Sequence, residues 1–520
     1  MTATAGTPPT TIARGSDPDR APWPGRILLL LAVALLAWLS TRGLDAQWDT
    51  NTVRGGLESR FSHVTVGQHV THGLGKTLGL PAFVTIDQGQ VIRGVNCHHP
   101  PYYWLYLSAF GALFGNSQLV LRLAHLTLFL PGLLALFALV RRRAGDVAAG
   151  FAALLFATAP LVAYYGPMVL QDGAVLGTGL VTLWAFQRFV DAPGLGRWCT
   201  TAAAFFLAAS WDYSGYWWGP AMFVLAIDQE RRWRAMAWVM SFLPVSAAAF
   251  AVQALHYGLH YGGPFGFLHE LFTMLRLEHE AVQGSVQLAD FSRAMHYLWL
   301  DHQNVWLLGL TLLGALAAAT ARRCLDGRGA RLLWLGAATL LPGLLNCGLF
   351  FRHAVDHVFW SMHGFAGLAV LAAAVPALAI VTGRRCGVVV GAALLALPVA
   401  AAVLGVLGTR ELQQRFTFVD TTDSITIIEK ALPHLTGCST AITSATVTPQ
   451  FQFGGTTVEY GCDDAGKLAA LLAICRANKL PGEFGFILHP RHHDSPLRQE
   501  LDRIAAAVEV DGVRVYRFRM

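Results

Sequence analysis

Four short stretches collect side chains that can move protons, hold a phosphate or ligate a metal. The first begins at Asp45 and Asp49, passes Glu58, His63, His69 and His72, and ends on the pair His98–His99 in "VNCHHPPYYW". The second, "YYGPMVLQDG", has Tyr164, Tyr165 and Asp172. The third, "SWDYSGYWWGP", has Trp211, Asp212, Tyr213 and Tyr216. The fourth, "FFRHAVDHVFWSMHG", has Arg352, His353, Asp356, His357, Trp360 and His363. A carboxylate here can serve as a general base. Arginine and histidine can hold a phosphate through charge-assisted hydrogen bonds. Asp172, Asp212, Asp356 and His357 suit either a divalent metal or the orientation of the groups in front of them. No strict ligand spacing marks a metal site, and the eight cysteines include no CxxC pair.

Each stretch lies next to apolar sequence. The chain of 520 residues is 54% hydrophobic and 13% charged, with a mean hydropathy of +0.45. A soluble domain has about 25% charged residues. A membrane span needs roughly 20 mostly apolar residues, and many runs qualify. The expectation is a polytopic α-helical membrane protein with about eleven transmembrane helices and a small soluble tail. The net charge of +6 reflects arginines in short loops, not affinity for nucleic acid. Residues 1–25 read as a disordered polar, proline-containing tail. The run from Arg26 to Ser40 lacks a clear small-residue cleavage site and reads as a retained first helix.

Basic loops at 141–146, 194–198, 228–234, 321–331 and 383–385 belong in the cytoplasm by the positive-inside rule. Spans then fall at 26–42, 121–140, 147–164, 168–190, 198–212, 215–228, 235–256, 303–320, 331–350, 361–382 and 386–408. The transmembrane domain covers 26–408, with outer loops at 43–120 and 257–302. The segment 102–115 is short for a span and reads as an interfacial or re-entrant helix. Tyr102, Tyr103 and Trp104 would anchor it at headgroup level. Residues 409–520 read as a soluble extracytoplasmic α/β domain, with "KLAALLAICRANKL" as helix and "FGFILHP" and "VRVYRFRM" as strands. In that oxidising compartment Cys438 and Cys462 form a disulfide or remain buried thiols. This places the protein in the plasma (inner) membrane, N-terminus in, with all four polar stretches on the outer face. Any one of these side chains alone reads equally well as an interfacial anchor or a solvated loop charge. Four turns doing so on one face indicate a functional cavity.

The order of these motifs resembles the GT-C membrane glycosyltransferases. The nearest group is the protein O-mannosyltransferase and aminoarabinose transferase superfamily. Pro100, Pro101, Gly115, Ser117 and Arg122 follow that group's series of a proline segment, an "FG-S" turn and an "R-L" helix ending in arginines. The turns at Tyr165–Asp172 and at Asp212, and the late segment at Arg352–His363, follow in order. The resemblance covers about residues 26–408 and implies transfer of a monosaccharide from a polyprenyl-phosphate sugar to an extracytoplasmic acceptor, with inversion. It implies a catalytic carboxylate early in the first outer loop. Leu57 stands where the first acid of that motif is expected, so the base is Glu58 or Asp49, with Asp45 behind them. Arg352, His353, His99 and Tyr165 would hold the donor phosphate, with the loop residues Arg276 and Arg293 as further cations. Arg352 equally fits an ion pair with Asp356, four residues on. The resemblance implies no certain cofactor, and a divalent metal stays open. A flippase of lipid-linked sugars, which would be expected to have internal repeats and midplane breaks, and a non-catalytic membrane sensor are the alternatives.

The topology predicts that cysteines introduced near residues 60, 265 and 450 are labelled from outside the cell. Cysteines at 143, 232 and 325 should be silent, and outside labelling at 143 would overturn the eleven-span arrangement.

Overall fold

The computed structural model describes residues 23–41, 56–87, 90–95, 97, 99–282, 304–320, 328–350, 354, 358–417, 430–435, 438–443, 451–453, 456–460, 462, 464–477 and 483–519. Apolar composition makes most of them helical. The helices α1 (Trp23–Thr41), α2 (Gly56–His72) and α3 (Leu74–Thr77) precede a hairpin of β1 (Ala82–Asp87) and β2 (Gln90–Val95). Next come α4 (Tyr102–Phe114), α5 (Gln118–Ala144), α6 (Asp146–Thr158), α7 (Pro160–Tyr165), α8 (Gln171–Asp191) and α9 (Leu195–Trp211). A 3-10 turn (Tyr213–Trp217) leads into α10 (Trp218–Ile227), α11 (Arg232–Met240), α12 (Leu243–Tyr261) and α13 (Pro264–Val282). Then follow α14 (Asn304–Thr320), α15 (Arg328–Leu349), a 3-10 turn (Val358–Ser361), α16 (Met362–Ala372), α17 (Ala374–Cys386) and α18 (Val388–Thr417).

Among the described residues, seven helical segments are long and apolar enough to cross a membrane. They lie at Trp23–Ser40, Gln118–Ala144, Gln171–Asp191, Arg232–Tyr261, Gly329–Leu349, Phe359–Cys386 and Val388–Gln413. Shorter apolar helices at α6 with α7, α9, α10 and α14 occupy the remaining positions of the eleven-span arrangement. Several of these spans are broken where the sequence reading had continuous ones. Pro160 disfavours a helical Ala159, so α6 stops and α7 restarts with the proline in its first turn. Pro244 likewise opens α12 after α11.

The outer stretches contain more structure than apolar runs can announce. The first includes α2 and the β1–β2 hairpin, and the later one includes α13. The helix at 102–114 is short, as expected, but two of the three aromatics read as anchors face protein. Tyr103 and Trp104 are completely buried. The Trp104 indole donates to Ser62 Oγ at 3.0 Å and meets the Phe61 ring edge-on at 5.4 Å. His69 adds hydrogen bonds to Ser108 Oγ (2.8 Å) and to the Leu80 carbonyl (3.1 Å). These contacts seat α2 on α4. Trp104 is therefore core, because α2 supplies a protein surface where lipid or water was expected, and Tyr103 is covered by His125 and Trp211.

The tail forms a mixed six-stranded sheet in the order β4-β5-β3-β6-β8-β7. Its strands are β3 (Cys438–Thr443), β4 (Phe451–Phe453), β5 (Thr456–Tyr460), β6 (Glu483–Leu488), β7 (Ala507–Val510) and β8 (Val513–Arg519). Helices α19 (Ala465–Ala477) and α20 (Pro496–Ile504) accompany it. Buried Phe484, Phe486, Leu488, Tyr516 and Phe518 form its core. Cys438 and Cys462 are buried and not joined by a disulfide.

Trp104→Ala should cost about 3–5 kcal/mol, the usual loss for emptying a large aromatic site. A thermal melt in detergent checks this. An unchanged melting temperature would show that α2 is not held through this indole.

Candidate functional site

The chain leading into α4 is pinned through its carbonyls. Tyr261 Oη donates to the Val95 carbonyl at 2.9 Å, Tyr213 Oη to Cys97 at 3.3 Å, and Tyr257 Oη to His99 at 2.6 Å. Alternate residues of an extended segment present their carbonyls on one side, so three hydroxyls can reach every second residue. Tyr213 is itself held by the Gln253 amide at 2.5 Å. Pro100 and Pro101 follow and stop the segment from entering α4 as helix.

His99 ends this clamp, and its Nδ1–H donates to Asp212 Oδ1 at 2.6 Å. Asp212 lies in extended backbone between α9 and the following 3-10 turn. Its Oδ2 accepts from the Ser214 amide at 3.1 Å and from the Ser214 hydroxyl. Gly215 makes this turn feasible: a Cβ there would sit 2.0 Å from the Ala208 carbonyl oxygen. Burial works against the Asp212 charge, but the His99 imidazole and the Ser214 donors outweigh it and hold its pKa down at about 2.

A second pair lies alongside. Asp172 opens α8, where the helix dipole favours a negative charge. It meets His363 Nε2 at 3.0 Å, and both side chains are buried. Asp172 feels the charges of Asp212 and His99, so the two pairs form one electrostatic neighbourhood. Behind them Tyr103 Oη donates to His125 Nδ1 at 2.8 Å, and His125 Nε2–H donates to the Gly166 carbonyl at 2.8 Å. The tautomer follows from that carbonyl, which can only accept. Gly173 fits beside this ring; a Cβ there would approach His125 Nε2 to 2.6 Å. Tyr165 is buried next to Phe359, with ring centroids 5.7 Å apart. Several buried donors here have no hydrogen-bond partner among the described residues: His363 Nδ1, Asn346 Nδ2, Trp217 Nε1 and Tyr216 Oη.

Of the candidates named from sequence, His99, Asp212 and Asp172 come together, with Tyr165 nearby. Glu58 lies in the first turn of α2, one helical turn before Ser62, whose hydroxyl holds Trp104. Trp104 in turn meets the His99 ring at 6.2 Å. Arg276 is exposed on α13. Asp45, Asp49, His98, Arg293, Arg352, His353, Asp356 and His357 lie outside the described residues. The pairing role of His363 and the Tyr103–His125 relay were not singled out from sequence. His125 stands inside an apolar span, where an ionisable residue is the signal for a buried partner.

The fold can be compared with known proteins. It superimposes on the crystal structure of ArnT from Cupriavidus metallidurans in the apo state with a TM-score of 0.57, at 13% identity, covering 95% of this chain and 98% of that one. The fold is that of the GT-C glycosyltransferases. The same ArnT bound to undecaprenyl phosphate gives 0.54 at 14% identity, over 94% and 97% of the two chains. The Archaeoglobus fulgidus oligosaccharyltransferase in its apo form gives 0.53 at 11% identity, over 91% and 70%. The family model for dolichyl-phosphate-mannose-protein mannosyltransferase matches residues 98–257, the part of the chain that holds His99, Asp172 and Asp212. By sequence, no curated protein matches the chain.

Another Archaeoglobus oligosaccharyltransferase structure, with a TM-score of 0.50 at 12% identity over 92% and 71% of the chains, is a complex with zinc and sulfate. The described residues of this chain contain no group of three His, Cys, Asp or Glu that could hold a metal. Asp172 and Asp212 instead each engage a histidine.

The depressed Asp212 pKa has a pH signature. A carboxyl whose folded pKa lies below its unfolded value of 3.8 contributes stability above that value and loses it as pH falls toward about 2. The melting temperature of the wild type should therefore fall between pH 4 and about 2. Asp212→Asn should start lower and lose less over that interval. Parallel melting curves for the two proteins would remove the ionised Asp212 from the account.

Proposed function

We propose that this protein is a glycosyltransferase that moves a monosaccharide from a polyprenyl-phosphate sugar to an extracytoplasmic acceptor, with inversion at the anomeric carbon. The observation behind this is the meeting of two carboxylate–histidine pairs, Asp172–His363 buried and Asp212–His99 half-buried, at one end of a helix bundle with the GT-C fold. The undecaprenyl phosphate bound to ArnT supports a polyprenyl-phosphate donor in this reading. In this reading the helix ends with His99, Asp172 and Asp212 face the outside, as the arginine loops require.

Asp49 or Glu58 takes the proton of the acceptor hydroxyl as its oxygen forms the new bond to the anomeric carbon. The old bond to the phosphate oxygen breaks, and the polyprenyl phosphate leaves with the electron pair. Negative charge grows on that phosphate, so fixed cations and N–H donors aimed at it lower the barrier. Arg352 and His353 are assigned there. His99 joins them, because Asp212 fixes the orientation of its ring. Asp172 and His363 hold the ends of α8 and α16 together beneath the reacting groups. Tyr165 borders the phosphate side.

The test is purified protein in liposomes with a panel of polyprenyl-phosphate sugars and radiolabelled acceptors. Label should move to an acceptor with release of polyprenyl phosphate. His99→Gln and Asp212→Asn should each slow transfer by about 10²–10³-fold, the typical loss of one oriented group at a developing charge. Asp49→Asn or Glu58→Gln should abolish transfer while leaving the melt unchanged, because an amide cannot accept the proton. If both keep normal turnover, the base is elsewhere. If intact donor crosses the bilayer and no sugar is transferred, the protein is a flippase.

A further inference from the structure

At the opposite ends of the same helices lies a cavity of about 660 Å³. Asp172 and Asp191 mark the two ends of α8, about 28 Å apart at 1.5 Å per residue, so the cavity and the histidine–carboxylate site open on different membrane faces. Five arginines line it, at 142, 143, 231, 234 and 331, against the three carboxylates Asp191, Asp228 and Glu230. Two of those carboxylates are committed. Asp191 accepts from Arg142 at 2.5 Å and from Gln187 at 2.8 Å. Asp228 forms an ion pair with Arg143, 3.6 Å from its Nε.

Arg143 is the informative residue. It is 5% exposed, and its guanidinium has five N–H donors. Its Nη2 donates to Gln187 Oε1 at 2.5 Å. Its Nε and Nη1 have no hydrogen-bond partner among the described residues. Asp228 meets this buried guanidinium on its Nε side as an ion pair, and Nη1 is left to face the cavity, where a second anion would satisfy it. A solvated arginine of an ordinary inner loop would not be buried in this way.

We propose that this cavity binds a phosphate group, with Arg143 at its floor and Arg231 and Arg331 at its rim. A phosphate offers several acceptor oxygens that match the planar fork of arginine. The mouth has the character of a membrane surface. Trp233 is 72% exposed and lies against Arg232. Trp238 lines the cavity with the Arg234 guanidinium 4.8 Å from its ring centroid. Tryptophans of this kind settle at headgroup depth, and basic pockets between transmembrane helices take anionic headgroups. The phosphate therefore comes from an anionic lipid or from the aqueous phase beside it. The inference does not depend on the transfer reaction.

The test uses full-length protein in detergent, with native mass spectrometry to count bound lipid and thermal melts to follow stability. Phosphatidylglycerol should bind one to one and raise the melting temperature, and phosphatidylcholine should do neither. Arg143→Gln should weaken that binding. Because Arg143 is buried and its loss can impair folding, Arg231→Gln with Arg331→Gln is the second variant, expected to bind about tenfold more weakly, the equivalent of one charge-assisted contact. If inorganic phosphate alone raises the melting temperature and displaces the lipid, the site holds soluble phosphate. Equal phosphatidylglycerol binding by wild type and both variants, with no response to inorganic phosphate, overturns the proposal.

Discussion

Taking a carboxylate out of water is costly unless a partner comes with it, and this protein does so twice within one neighbourhood. Asp212 is held by His99 across 113 positions of sequence and Asp172 by His363 across 191. Each pair is affordable only if both partners arrive together; removing one leaves a buried charge whose cost is about 3–5 kcal/mol. The segment before α4, the end of α9 and the starts of α8 and α16 must therefore meet at one end of the bundle. That requirement, more than the apolar packing below, makes the architecture specific. Apolar helices in lipid have little preference for one neighbour over another.

Rigidity around the pairs has an identifiable source. The tyrosines of α12 and of the 3-10 turn fix the backbone on which His99 rides, and Ser214 fixes both Asp212 and the turn that carries it. The Tyr103–His125–Gly166 chain fills the space behind with fully satisfied polar groups. A satisfied network of this kind specifies one arrangement, where a partly satisfied one would permit several.

Much of the fold was legible in the sequence because a bilayer reads the same property that hydropathy measures. The spans beginning near Arg26, Leu121 and Val388 needed only length, apolarity and flanking arginines. The tail strand Val513–Arg519 announced itself by β-branched and aromatic residues set among arginines, although its buried side changes from Val513 and Val515 to Tyr516 and Phe518. The α2 helix did not, because its serines, histidines and glycine have neither an apolar run nor a clear helical stripe; its partner surface on α4 creates it. The same partner turned Trp104 from an expected membrane anchor into core. Within the site, the polar turns were visible as anomalies. Which histidine served which carboxylate was not, since those pairings join residues that no local pattern connects.

The way His99 is positioned has a bearing on ancestry. The hydroxyls of Tyr213, Tyr257 and Tyr261 grip carbonyl oxygens, which every amino acid supplies in the same place. The Val95 and Cys97 side chains pack into the small core around Tyr257 and Phe267, while the hydroxyls hold the path of the backbone itself. Recognition invested in the main chain lets sequences diverge widely while the imidazole stays at its station. A chain built on that plan is traced to its kin more readily by superposition than by spelling.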